Sequence, residues 1–186
     1  MNVDVAYYVT PCAYVLTIEE SRKMSAKRPY DPIQVANAVI GIAKKDGRTI
    51  SPLHLQKLIY YAHGWSLAIF DEALINEELE AWKYGPVIPR VYHEFKYFGS
   101  AAIDRPATCI DVAGNEITPT VPEDDKLTWQ LLEKVWEVYK GYRAIELSQI
   151  SHAPGSPWQT AWNSRFGMSS VTISNESIKD YFVTKK

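Results

Sequence analysis

Reactive side chains are few in this 186-residue chain, and none is spaced as a known reaction centre requires. The four histidines, His54, His63, His93 and His152, form no i, i+4 pair in a helix-borne acidic motif of the kind that grips zinc. His54 and His63 lie nine residues apart, which at roughly 100° per residue points them to opposite sides of one helix. No metal and no cofactor are expected. Cys12 and Cys109 stand far apart in sequence and in no CxxC pair, so neither a zinc site nor a disulfide is expected. Cys109 or a serine would need an adjacent base and an oxyanion site to act as a nucleophile. The chain offers no GxSxG elbow and no GxxxxGK[ST] phosphate cradle. His152, beside the Pro154-Gly155 turn, is the one candidate general base, and a histidine that anchors the loop by bonding to backbone is the simpler reading.

Lys57 and Glu80 each interrupt an apolar neighbourhood. A buried charge must be paired or lose its charge, so Lys57 is expected to lay its stem along the core and meet a carboxylate at the edge. The alternative is a recognition role beside Tyr60 and Tyr61. Tyr84, Pro86, Val87 and Ile88 surround a Gly85-Pro86 turn, and aromatic groups on a rigid exposed turn make good interface anchors. Such a turn is equally a corner that docks the next helix. The candidate partner-binding residues are Lys57, Tyr60, Tyr61, Trp82, Tyr84, Pro86 and Val87.

The elements that must position them are readable from end signals and periodicity. Ser51 caps and Pro52 opens a helix whose apolar face carries Leu55, Leu58, Ile59, Ala62, Trp65, Ser66 and Ile69. Its other side, with Tyr60, Tyr61, Gly64, Leu67 and Ala68, is no solvent face, so this is the expected central helix. Gly64 costs a helix interior ~1 kcal/mol relative to alanine, which suits a close crossing by a neighbour. Asp31-Pro32 starts an earlier helix that ends at Lys44-Lys45 and Asp46-Gly47. Leu79 to Tyr84 reads as a strand, and Pro89 to Gly99 as a helix with its stop. Ala107 to Val121 reads as a hairpin, with Ile110 and Val112 on one arm, Ile117 on the other and Gly114-Asn115 at the turn. Leu127, Leu131, Val135, Val138 and Tyr139 define a helix ending near Gly141, on which Trp129 and Trp136 pack into the core or along its edge. Ala144–Ser151, a Trp-bearing segment after Pro157, and a closing helix capped by Ser174 or Asn175, with Ile178 and Phe182 as its contacts, complete the set. The expected fold class is α+β, mainly α-helical: a compact domain around a central buried helix with a small β-hairpin or short sheet.

The length suits one domain, read here as residues 24–186 behind an N-terminal extension over 1–23. That extension is rich in Val, Tyr and Thr, and Met24 is read as the natural translation start, with Glu19-Glu20 encoded where a ribosome-binding site would lie. A formal net charge of −2 gives no basic excess for nucleic acid, and no apolar run reaches the ~18 residues of a membrane span. A reducing cytoplasm is the expected location.

The order LQKLIYYAHGWSLAIF, then LEAWKYGPVIPRVYHEFKYFG, then Ser151-His152 and Pro157-Trp158, resembles the Panacea domain family, the SocA-like antitoxins and phage-associated GepA-like proteins. The resemblance covers roughly residues 31–182 and weakens between Ala101 and Lys126. It implies the antitoxin of a bacterial or prophage toxin–antitoxin system, one that neutralises a cognate protein toxin by direct contact. Some members act as adaptors that present the toxin to a protease, such as a Clp-type complex. Two rival readings remain. One is an enzyme built on His63, Tyr84 and His152, and the other a nucleic-acid-binding regulator whose Lys27, Arg28, Lys44, Lys45 and Arg48 converge on one face.

Overall fold

In the computed structural model, which describes residues 28–111 and 113–185, the first helix begins where Asp31 closes a capping box. Its carboxylate accepts from the Ile33 amide at 2.9 Å, while Gln34 returns a bond to the Asp31 amide at 3.2 Å. Helix α1 runs Pro32–Lys45 and stops at Asp46. Ser51 caps helix α2, Pro52–Phe70, in which every residue from Leu55 to Leu67 is buried. An apolar surface on all sides demands neighbours on all sides. Those neighbours are α1, strand β2 (Gly85–Val87), and helices α3 (Pro89–Phe95), α4 (Lys126–Tyr139), α5 (Ala144–Ser151) and α7 (Asn175–Val183). The mainly helical α+β class is as expected.

Strand β1, Leu79–Trp82, pairs with β2 in the register Glu80↔Val87, Ala81↔Pro86, Trp82↔Gly85. The turn is therefore Lys83-Tyr84. Gly85-Pro86, expected to form the turn, lies within the second strand: Gly85 adopts φ +106° opposite Trp82, and Pro86 is tolerated because β2 is an edge strand. A short 3₁₀ turn, Lys96–Phe98, follows α3 and ends at Gly99 with φ +57°. The expected hairpin is present as β3 (Cys109–Ile110) and β4 (Glu116–Ile117), with Asp111 accepting from the Ala113 and Asn115 amides across its turn. Val112 lies outside the described residues, as do 1–27, with the N-terminal extension, Met24, Cys12 and Lys27.

Helix α6, Pro157–Asn163, starts at a Ser156 cap, and Ser174 caps α7. Between them, β5 (Thr172–Ile173) pairs with the free side of β1, giving the sheet order β2-β1-β5. One buried cluster gathers side chains from Tyr30 to Phe182. Trp136 is buried and donates to Asp46 at 3.2 Å, while the half-buried Trp129 donates to the Pro122 carbonyl at 3.1 Å, one in the core and one at its edge. The close crossing at Gly64 is also there. A Cβ on Gly64 would lie 2.6 Å from Cδ2 of Phe182, whose ring meets Trp65 edge-on at 5.3 Å.

Candidate functional site

The motif residues converge on one place, the corner where the β1–β2 hairpin meets α2, α5 and α6. Gln56 donates its amide to the Ile88 carbonyl at 3.1 Å and accepts the Ile88 amide at 2.9 Å, mimicking a strand pair. One helical position on, Lys57 Nζ donates to the Pro86 carbonyl at 2.9 Å. Ser148 Oγ donates to the Tyr84 carbonyl at 2.7 Å, and Ser151 Oγ to the Ser148 carbonyl at 2.7 Å. Trp158 Nε1 donates to the Trp82 carbonyl at 2.8 Å. The hairpin corner thus spends three elements' polar groups on its backbone.

Lys57 is wholly buried, and among the described residues no carboxylate pairs with it. The expected edge carboxylate is replaced by a carbonyl, because the α2 face around Lys57 meets the uncharged backbone of β2. Burial without a counter-charge pushes the ammonium down to about 7. Glu80 accepts from Trp82 Nε1 at 2.7 Å. The His152 ring stacks on Trp158 with centroids 3.5 Å apart, and its Nε2 is buried without a partner. Stacking, rather than the expected hydrogen bond to backbone, anchors this histidine. Burial first, and the Lys57 charge second, push it down to about 4.

These shifts carry a sign that can be tested. An unfolded Lys57 binds its proton below its ordinary pKa of ~10.4, whereas the folded one stays neutral until about 7, so stability falls as pH drops through that window. The effect between pH 9 and 7 should approach ~2 kcal/mol on the basis of 1.36 kcal/mol per unit. Urea midpoints at the two pH values should differ in the parent protein, and Lys57→Met should remove most of the difference. An equal pH difference in Lys57→Met would remove Lys57 as its cause.

The structure distributes the remaining candidates unevenly. Tyr60, Tyr61, Pro86 and Val87 are buried with Lys57, so none of the five offers surface to a partner in this state. Tyr61 donates to the Leu147 carbonyl at 3.0 Å and stacks on Tyr139 at 4.3 Å, which makes it a core tie. Tyr84 is 57% exposed, and Trp82 is half-buried with its ring edge-on to Tyr92 at 4.9 Å. The accessible part of the set is therefore Trp82 and Tyr84, joined by Tyr92 from α3.

The groups of the rival enzyme do not meet. His63 is buried with Nε2 2.8 Å from Asn175 Oδ1 at the start of α7, His152 stacks on Trp158, and the Tyr84 ring faces solvent. Among the described residues, no three His, Cys, Asp or Glu side chains are grouped to hold a metal ion. Among the described residues, the basic cluster does not assemble either. Arg28 is buried before α1, against Ser66 and Glu72, while Lys44, Lys45 and Arg48 lie exposed at the opposite end of that helix. Among the described residues, no helix is long and apolar enough to cross a membrane.

Comparison with known proteins bears on the same residues. The family model described as Antitoxin SocA-like, Panacea domain, matches residues 55–159, a span that contains every hydrogen bond of the corner. Antitoxin SocA of Caulobacter vibrioides (strain NA1000 / CB15N) is 35% identical over 160 residues, covering 84% of each chain. The chain belongs to the SocA-like antitoxin family with a Panacea domain. No solved structure matches it. In this antitoxin-family chain the corner bonds all fall within the matched Panacea domain. Gln56, Ser148 and β5 are the parts that periodicity did not announce, although a glutamine amid the apolar positions of α2 was a signal that its amide had a fixed partner.

Proposed function

We propose that the protein is the antitoxin of a toxin–antitoxin pair and silences its cognate protein toxin by direct contact, without chemistry of its own. Family membership supports the antitoxin role. The observation that carries the contact reading is the corner itself: its polar groups are consumed in fixing the backbone of a hairpin whose turn holds Tyr84 out in solvent. A fixed turn loses little further freedom when a partner covers it. The exposed Cys109 thiol suits action in a reducing cytoplasm.

The test is growth of bacteria in which the open reading frame adjacent to this gene is induced beside each variant. Tyr84→Ala should weaken rescue, at a cost of ~2 kcal/mol or more if the ring is an anchor. A His152→Ala variant that remains folded by circular dichroism should rescue as the parent does. Full rescue by Tyr84→Ala together with loss in folded His152→Ala would overturn contact in favour of catalysis. Repeating the assay in cells lacking their Clp-type protease separates occlusion of the toxin, which survives the deletion, from delivery to the protease, which does not.

A further inference from the structure

Two segments leave the same end of the three-stranded sheet. Ala81 donates to the Val171 carbonyl at 2.8 Å, and Glu80 stands opposite Thr172, so the chain entering β5 passes beside the point where β1 ends in the Lys83-Tyr84 turn. The entering segment is the loop Ser164–Ser170. Its base is held by Arg165, whose guanidinium lies 3.7 Å from the Trp162 ring centroid and donates to the Trp162 carbonyl at 2.6 Å. Trp162 stacks on Trp158 at 5.4 Å, and Trp158 is tied to the Trp82 carbonyl. The loop is thus bolted to the hairpin through two tryptophans.

Beyond that base the loop does the opposite of what burial favours. Phe166 is 92% exposed and Met168 is 55% exposed. Phe166 holds φ +43°, a left-handed conformation that costs an aromatic residue energy, with Gly167 following at φ +86°. Strain spent on holding an apolar ring away from the core is difficult to reconcile with a purely structural loop. The charged side chains within these two segments have one sign. Lys83 sits 5.4 Å above the Tyr84 ring and Arg165 covers Trp162, while neither Ala81–Ile88 nor Ser164–Ile173 contains an acid. Glu80, the nearest carboxylate along the chain, is engaged by Trp82. The whole protein is net acidic, which makes this cationic aromatic end a local exception.

We infer that the toxin docks on this end of the sheet, with Phe166 and Tyr84 as paired anchors entering an apolar depression that the toxin rims with carboxylates. The inference rests on the antitoxin reading above and adds to it the second anchor and the charge of the partner surface. Apolar anchors supply the affinity and the complementary charges the encounter rate.

The probe is the purified product of the adjacent open reading frame, titrated with the full-length antitoxin. Phe166→Asn keeps a residue that tolerates the left-handed conformation, so the thermal midpoint should hold or rise while affinity falls at least about tenfold, as loss of one anchor does. Lys83→Glu should slow association at low salt and much less at high salt. Unchanged affinity in both variants, with the parent still binding, overturns the docking surface and leaves the antitoxin reading intact. If the adjacent product neither arrests growth nor binds the parent, the antitoxin reading fails and the docking surface with it. Self-association of the antitoxin that Phe166→Asn disperses would assign this end to a second copy of the chain and overturn the proposal as well.

Discussion

Gly85→Ala should lower stability by several kcal/mol, although it adds a single methyl group. At φ +106° any side chain is strained, a cost of order 1–3 kcal/mol. The new Cβ would also overlap Lys57 Nζ and come within 2.7 Å of Ser151 Oγ. Lys57 is enclosed, so relieving the overlap means breaking its bond to the Pro86 carbonyl and leaving a buried donor unmet, a further ~1–3 kcal/mol. The sum is a large part of the ~5–15 kcal/mol that holds a domain together. The urea midpoint reads the loss. Gly155→Ala separates the two causes, because Gly155 also has positive φ, +75°, but open space around its Cβ position. Equal losses at the two glycines would show that strain alone acts and that the Lys57 cradle is indifferent to the methyl group.

Gly64→Leu should be comparably severe. The glycine lies where α7 crosses α2, and its Cβ position is already within 2.6 Å of the Phe182 ring. Phe182 cannot simply swing aside, since it is packed edge-on against Tyr60 at 5.6 Å and Trp65 at 5.3 Å. A leucine there displaces the last helix, and the loss should approach the ~3–5 kcal/mol typical of deleting a core phenylalanine. Gly64→Ala is the sharper comparison. It gains ~1 kcal/mol of helix propensity and should still destabilise, because overpacking of a rigid site costs ~1–3 kcal/mol. Pairing it with Phe182→Leu should recover part of the loss. A thermal midpoint unmoved by Gly64→Leu would mean that α7 does not hold this crossing in solution.

Much of the fold was legible because its signals are local. Asp31-Pro32 and Ser51-Pro52 mark helix starts by the chemistry of the free amides, and the apolar circumference of α2 announces a central helix without reference to any other element. Gly64 carried its own message, as a glycine in a helix interior needs a reason. What stayed illegible depends on distant partners. Lys57 reads as an amphipathic edge residue until the hairpin backbone is placed over it. Tyr60 and Tyr61 carry the same chemistry as Tyr84, and only packing decides that they are core while Tyr84 is surface. The turn slipped by two residues because Gly-Pro punctuates bends and edge strands alike, and register is set by the pairing of Ala81 with Pro86. Two-residue β5 is too short to show any alternation. Phe166 gave no sign of itself, since neither its φ nor its exposure is written in SRFGMSS.

The corner also sets a timetable. The carbonyls of Pro86, Tyr84 and Trp82 wait for partners 29, 64 and 76 residues away in the chain, two of them translated long after the hairpin. At ~5–20 residues per second, the stretch from Trp82 to Trp158 takes roughly 4–15 s to emerge, and contacts of such separation close slowly in any case. Folding takes Lys57 from water, where it carries its proton at neutral pH, to a site where burial pushes it down to about 7, so closing the corner above about pH 7 sends a proton into solution. The Lys83-Tyr84 turn is consequently made early and fixed late, so the end of the sheet to which it belongs matures only when the last third of the protein has left the ribosome.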